Sequence, residues 1–434
     1  MSCWATTGRP RSIRAISDPC LAPTCANAFS CATGRCSVLV FPPTEAARPA
    51  ALSGTAVYVH VPWCRARCDY CGFLSHALDD SEVLRSVVEK TLVLLGTRLR
   101  ACGNPPVATV YVGGGTPTLL PVELLRRLLG GIAATTRAPV KEWTVETNPE
   151  NVDQAMLELL AACGVTRLSV GVQSFQPRLL RLLGRRSGID AIEAAVSMIA
   201  GCWGGRWSVD LIGGILDQSV LEAVDDVERA CGLGTHHISL YDLSVEPDTA
   251  LERRIGRRAF AVCANRAAEV MRVAARVLQG RGYGRYEISN YARPGGECEH
   301  NLGYWTACDY IGVGPGAVSA VTQRDGSLVR YSDAADVGRF LATRTAWGRR
   351  ERVGRTARTL ERAMLGLRTA VGVTRTELCW GLEAGRQAAV RRLLSSWVEY
   401  GDAVCSGERV RMTPQGWDRL NCRLRELSAA IGLS

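Results

Sequence analysis

The sequence predicts an α/β fold in which six βα units surround a parallel sheet, open or barrel-like, followed by a smaller α+β, winged-helix-like C-terminal domain. Three observations predict it. From residue 55 onward short β-branched runs alternate with segments whose apolar residues recur at helical spacing. Polar residues or glycines fall at the ends of those runs, where parallel sheets gather ligands. From about residue 350 helical segments follow one another closely and lead into a short strand pair.

Residues 1–54 carry Cys3, Cys20, Cys25, Cys31 and Cys36 among Pro, Ser, Thr and Ala, without hydrophobic periodicity. They read as a disordered extension, or as sequence upstream of a mis-assigned start, and their cysteine spacings match no familiar pair-of-pairs metal pattern. Residues 55–290 hold the runs AVYVHVP, ATVYVGGG, EWTVETNP, RLSVGVQS, WSVDLIGG and HHISLYDL. Between them lie amphipathic segments such as PVELLRRLLGGI and GIDAIEAAVSMIAG. Residues 291–345 form a linking region around the motif HNLGYW, and residues 346–434 the winged-helix-like domain that ends in AVCSGERVRMTPQGW.

Composition narrows the class. Hydrophobics at 47% and aromatics at 6% fit an ordinary globular protein, and no apolar run approaches the ~18 residues of a spanning helix. With no compact charged-then-apolar leader, the chain reads as cytoplasmic. Its formal charge of +10 comes almost wholly from arginine, since only Lys90 and Lys141 are lysines. Those arginines are scattered among acids, as on a solvated face, so no nucleic-acid partner is expected. Eighteen cysteines in so long a chain argue against a disulfide framework and for a reducing compartment. Most of them, such as Cys163 and Cys231, read as small buried side chains in helical patterns.

The stretch CRARCDYCGF is different. Cys64, Cys68 and Cys71 would share one face of a helix, but their neighbours are charged and polar, and Pro62 and Gly72 frame a loop. Zinc prefers four closed ligands, and no second pair is well placed. Three thiolates suit a cubane iron–sulfur cluster that leaves one iron without a protein ligand.

This triplet, directly after a strand of a βα repeat, resembles the signature of the radical S-adenosylmethionine (SAM) enzymes over about residues 55–245. The resemblance implies a partial (β/α) TIM-like barrel, with a [4Fe-4S] cluster on Cys64, Cys68 and Cys71. It also implies SAM chelated to the open iron and cleaved by electron transfer to a deoxyadenosyl radical. GGGTP supports it, because a glycine run lets backbone approach a ligand, and Thr116 and Pro117 read as a helix cap and first turn. By the resemblance Gly114, Gly115 and Thr116 hold the methionine part of SAM and Glu146 accepts from the ribose hydroxyls. Tyr58, Gln173, Arg185 and Asp210 match further SAM-pocket positions.

Downstream, ISLYDLSVEPDT and YEISNYARPGGECEHNLGYW extend the likeness to nearly the whole chain after residue 55. Together these motifs resemble the group of the oxygen-independent coproporphyrinogen III dehydrogenases (HemN) and the HemW-type heme chaperones. The dehydrogenases usually carry a further cysteine two positions after the third cluster cysteine, whereas the HemW-type proteins have phenylalanine there. Phe73 follows the latter. HNLGYW matches the HNxxYW motif associated with heme binding. Alone it reads as a loop histidine with core aromatics; within the resemblance it makes His300 an axial ligand and Tyr304 and Trp305 apolar faces for a macrocycle, with Cys298 as an alternative ligand.

The resemblance implies a chaperone that holds heme and passes it to an acceptor protein, with an electron donor for the cluster and transient membrane association. Radical decarboxylation of coproporphyrinogen III is the alternative. Two departures stand out: Leu216 replaces a usual proline after the fifth strand, which is expected to loosen the loop near Asp210, and Val318 replaces a usual histidine.

Overall fold

The computed structural model describes residues 54–77, 80–137 and 140–433. The five cysteines of the N-terminal extension lie outside them. Six parallel strands form the centre: β1 (Thr55–Val61), β2 (Val107–Gly114), β3 (Glu142–Thr147), β4 (Arg167–Gln173), β5 (Arg206–Gly213) and β6 (His237–Asp242). They lie side by side in chain order, as right-handed βα connections require.

The helices that return the chain are α1 (Ser81–Ala101), α2 (Val122–Thr136), α3 (Gln154–Ala162), α4 (Pro177–Leu182), α5 (Ile189–Cys202), α6 (Val220–Gly232) and α7 (Ala250–Gly280). Their starts are chemically marked. Asp80 accepts the Glu82 amide at 2.7 Å at the head of α1, and Ser219 with Glu222 makes a reciprocal capping box on α6.

Side-chain alternation with period two divides the strands into an outer and an inner face. Val57, Val59, Val110, Val112, Trp143, Val145, Leu168, Val170, Val209 and Ile238 point outward into the main core with the helices. The inner set is polar: Thr144 and Glu146 on β3, Arg167 and Ser169 on β4, Ser208 and Asp210 on β5, His237 and Ser239 on β6 all line a central cavity.

The sheet is wider than six strands. β7 (Gly284–Arg285) and β8 (Asn290–Ala292) join antiparallel beside β6. Beyond β1 come β9 (Tyr310–Val313), β10 (Val318–Thr322), β11 (Leu328–Ser332) and β12 (Arg349–Val353), giving the order β12-β11-β10-β9-β1-β2-β3-β4-β5-β6-β8-β7. Residues 291–345, expected as a linking region, therefore supply strands of the same sheet and the helices α8 (Glu299–Trp305) and α9 (Val337–Ala342). Their runs are too short and mixed for periodicity to separate them from loop.

The C-terminal unit has its own core around Leu360, Leu394, Trp397, Val410 and Leu424. Its helices are α10 (Arg355–Gly366), α11 (Arg375–Cys379), α12 (Ala384–Glu399), α13 (Pro414–Asp418) and α14 (Leu420–Ala430). They pack around the antiparallel strands β13 (Val373–Thr374), β14 (Ala403–Ser406) and β15 (Arg409–Met412). Among the described residues no helix is long and apolar enough to cross a membrane.

Candidate functional site

The cysteine stretch is a loop between β1 and α1, as its proline and glycine imply. The Cys71 amide donates to the Cys68 carbonyl at 3.1 Å, a tight turn that keeps the two thiols on one side. Asp69 fastens the loop to the barrel: its amide donates to Leu183 O at 3.1 Å, its carbonyl accepts from Leu251 N at 2.8 Å, and its carboxylate takes Arg254 at 2.8 Å. Cys64, Cys68, Cys71 and Phe73 all line the central cavity, whose volume is about 760 Å³. Burial pushes the Cys64 thiol up to about 11 and the Cys71 thiol upward as well.

Among the described residues no group of three His, Cys, Asp or Glu closes on a point that would hold a single metal ion. A cubane spreads three thiolates over three irons, so thiols ranged along one cavity wall fit a cluster better than an ion.

Opposite the cysteines each glycine of the turn after β2 has its own steric cause. A Cβ on Gly113 would lie 2.6 Å from the Glu146 carboxyl, one on Gly114 2.1 Å from the His60 ring, and one on Gly115 2.5 Å from the Trp63 carbonyl. Gly114 also has φ +111°, which L side chains rarely adopt. Thr116 heads a 3-10 turn over Pro117–Leu119 and places no side-chain cap on it. Its hydroxyl points instead to Cys64 Sγ at 3.9 Å and accepts from Asn148 at 2.8 Å.

Glu146 accepts from the Tyr111 hydroxyl at 2.7 Å and from the Gly114 amide at 2.8 Å. Burial raises its carboxyl above the usual range. Asp210, raised by the same cause, accepts from Ser169 at 2.8 Å, and its Oδ1 is buried without a partner among the described residues. Gln173 has φ +71° at a bulge between β4 and β5, an uncommon conformation that turns it toward the cavity. Arg185 donates to Asn148 at 3.0 Å, to Gly171 O at 2.7 Å and lies 3.6 Å from Cys68 Sγ. Asn148 thus links Arg185 to Thr116 across the cluster side of the cavity. Sequence reading missed it, although an Asn-Pro step at a strand end is a turn signal.

Tyr58 is placed elsewhere. It is 1% exposed, lies outside the cavity lining, and its hydroxyl meets His60 Nδ1 at 2.8 Å. The inner face of β1 is covered by α8 and by Tyr310, so Tyr58 stands behind Tyr111, with ring centroids 6.2 Å apart, rather than against a ligand. The HNLGYW stretch is likewise a short helix in the core and not a loop. His300 is 1% exposed, with Nδ1 2.9 Å from the Thr109 hydroxyl and Nε2 3.3 Å from that of Tyr304. Burial holds its ring down to about 3, so it is neutral at ordinary pH. Tyr304 and Trp305 border only a small hollow of about 30 Å³. Cys298 is buried, donates to Glu142 Oε1 at 3.3 Å and reaches the lower part of the central cavity.

The departures are also resolved. The turn after β5 lacks proline but is held by Gln218, whose Oε1 accepts the Ile215 amide at 3.2 Å and whose amide donates to Ile215 O at 2.9 Å. Val318 is fully buried in β10, away from the cavity lining.

A model of the radical SAM superfamily matches residues 58–230. The heme chaperone HemW of Synechocystis sp. is 34% identical over 368 residues, 81% of this chain and 86% of its own. The chain belongs to the HemW family of the radical SAM superfamily. The HemW of Escherichia coli (strain K12) is 36% identical over 293 residues, 67% of this chain and 76% of its own. That of Mycobacterium tuberculosis is 41% identical over 275 residues, 60% of this chain and 68% of its own. In fold, coproporphyrinogen III oxidase (HemN) from Escherichia coli superposes with a TM-score of 0.73 at 19% identity, covering 88% of this chain and 91% of the other. That likeness agrees with the α/β partial barrel, and radical SAM membership implies a [4Fe-4S] cluster and SAM for this HemW-family chain.

Sequence reading also missed the inner row of Arg167, Ser169, Ser208, His237 and Ser239. The signal was present in RLSV, WSVD and HISLY, where polar residues alternate strictly with apolar ones.

Proposed function

We propose that this chain is a cytoplasmic heme chaperone of the HemW type, which binds heme and transfers it to an acceptor protein. Cys64, Cys68 and Cys71 would hold a [4Fe-4S] cluster, reduced by an electron donor, and SAM would sit on its open iron. The observation that carries this reading is the convergence of the three thiols, the Gly114–Thr116 turn, Glu146, Gln173, Arg185 and Asp210 on one cavity, in a chain of this family. When bound, the cluster supplies one-electron chemistry at an iron without a protein ligand. Gly114 and Gly115, closed against His60 and Trp63 by lacking Cβ atoms, would offer backbone to the methionine part, Thr116 and Arg185 fix the thiols beside them, and Glu146 and Asp210 offer oxygens to the ribose hydroxyls. Phe73 puts an apolar face at the cavity wall where the dehydrogenases usually carry a cysteine.

His300 would be the protein ligand to heme iron. Its neutral ring suits ligation, and Nε2 would become available to iron if the Tyr304 side chain, one turn along the same helix, rotated out of its 3.3 Å contact. Tyr304 and Trp305 would then face the macrocycle.

The test is anaerobic reconstitution with iron and sulfide, then heme titration of wild type and His300→Ala, with SAM and coproporphyrinogen added to a parallel sample. A heme band dependent on His300, without porphyrinogen turnover, supports the chaperone. Conversion to protoporphyrinogen assigns the chain to decarboxylation instead.

A further inference from the structure

The rim of the cavity carries the cysteines and the residues assigned to SAM. Its floor, at the N-terminal ends of the strands, is built from other side chains and has a different chemistry.

Arg167, the first residue of β4, is 2% exposed and held on two of its three nitrogens. Nε donates to Glu142 Oε2 at 2.9 Å, and Nη2 donates to the carbonyls of Gly296 and Glu297 at 2.9 and 2.8 Å. Nη1 is buried without a partner among the described residues, on a side chain that lines the cavity. His237, the first residue of β6, is also 2% exposed and also lines it. Its Nε2 lies 2.8 Å from the Tyr286 hydroxyl, and its Nδ1 has no partner among the described residues.

The tautomer follows from the next bond along. The Tyr286 oxygen accepts the Cys298 amide at 3.4 Å, which leaves its own proton to donate to His237 Nε2. Nε2 is then the acceptor and Nδ1 carries the hydrogen. Burial and the Arg167 charge hold this ring well below its ordinary pKa, so it keeps one proton. The floor therefore presents two N–H donors without acceptors, and a donor buried without an acceptor loses its hydration for nothing in return. Glu142 already balances the Arg167 charge. The floor therefore offers hydrogen-bond donors rather than net charge, which suits the smallest anionic load, and its two donors can each take one oxygen of a single carboxylate.

We propose that the floor of the cavity is a subsite for the carboxylate of an organic ligand other than SAM, received by Arg167 Nη1 and His237 Nδ1. The inference deepens the functional reading above by naming the class of its second ligand, and rests on that reading only for the assignment of SAM to the rim.

The test uses the full chain with ¹⁵N-labelled imidazoles, titrated with propionate and, as control, propionamide. The chain has five histidines, so His237→Phe assigns the relevant ring. In the free protein the His237 signals should report hydrogen on Nδ1. Propionate should shift them saturably, with propionamide weaker by about tenfold or more, and His237→Phe should weaken transfer of saturation to propionate by a similar factor. Pre-saturation of the reconstituted protein with SAM should leave propionate binding intact.

The idea is overturned if acid and amide act alike, if propionate moves nothing, as when the floor holds only water, if hydrogen sits on Nε2, or if SAM displaces propionate. Arg167→Lys adds a variant that keeps charge opposite Glu142 without the planar arm; should it not fold, the acid–amide comparison on the unaltered chain still decides. SAM binding in the same preparations separates the two readings, since its loss with propionate retained would sink the rim assignment and leave the floor.

Discussion

The Glu146 carboxylate accepts the Gly114 amide at 2.8 Å, joining the glycine turn of one strand to the end of the next. The contact exists because Gly113, between them in space, has no side chain: a Cβ there would lie 2.6 Å from the carboxyl. The turn and the acid thus form one unit.

Gly113→Ala should therefore disable the site while leaving the barrel. Overpacking of this kind costs about 1–3 kcal/mol, and a displaced Glu146 should weaken SAM binding by about tenfold or more. Calorimetric SAM titration and thermal melts measure the two effects. Adding Glu146→Ala should restore the melting temperature of Gly113→Ala but not SAM binding, because it removes the clash and the acceptor together.

Cys68→Ala should abolish the iron–sulfur absorbance after reconstitution. Cys102→Ala, at the half-buried end of α1, should leave it unchanged. Both should fold, with stability within about 1 kcal/mol of wild type. Iron and sulfide content per chain is the readout.

Tyr304→Phe keeps the ring that meets His300 edge-on at 5.0 Å and removes the hydroxyl 3.3 Å from its Nε2. If His300 ligates heme, losing that competitor should tighten heme binding, whereas His300→Ala should lose the heme band and retain the cluster. His300→Ala should also cost about 2–4 kcal/mol, since it opens a void and strands the Thr109 hydroxyl. A Soret titration of both variants measures the first effect, chemical denaturation the second.

Glu287 lies at the contact between the strand region and the C-terminal unit, where it bridges Thr369. It is fully buried, and burial raises its carboxyl to about 7, against the hydrogen bonds from Ser289 and Asn290 and the charge of Arg285. A raised carboxyl keeps its proton in the folded state after the unfolded chain has lost it. Its contribution to stability is therefore complete below about 4.5 and declines as pH rises to 7, by about 1.4 kcal/mol per unit within that window. Glu287→Gln should remove this part of the slope, so that its melting temperature gains on wild type steadily from pH 5 to 7.

Arg98 on α1 donates to Asp333 at 2.9 and 2.5 Å and to Gly312 O at 2.5 Å, with both side chains buried. Arg98→Met should cost about 3–5 kcal/mol, because Asp333 is left as a buried charge without its partner. Arg98→Met with Asp333→Asn should recover much of that loss in denaturant titrations.

Much was legible in the residues themselves. The cysteine triplet, the glycine turn and Glu146 are local features, set by chain sequence over a few positions, and the β-branched runs marked six parallel strands with polar residues at their ends. Periodicity could not assign β9 to β12: β9 joins the sheet by pairing with β1 some 250 positions away in sequence, as with Val57 opposite Ile311, and β10 to β12 follow it as antiparallel neighbours. The same long-range pairing decided the fate of two expected ligand residues. Covering the inner face of β1 with α8 and Tyr310 put Tyr58 in an aromatic cluster and gave both ring nitrogens of His300 protein partners. The parallel pairing of β4, β5 and β6 brought Arg167 and His237, seventy positions apart, to one floor, each with a donor that has no partner among the described residues. Residue type and spacing determined which chemistry the chain carries. Which of those groups face a cavity was decided only by strand order and side-chain direction, because burial is a property of the whole sheet.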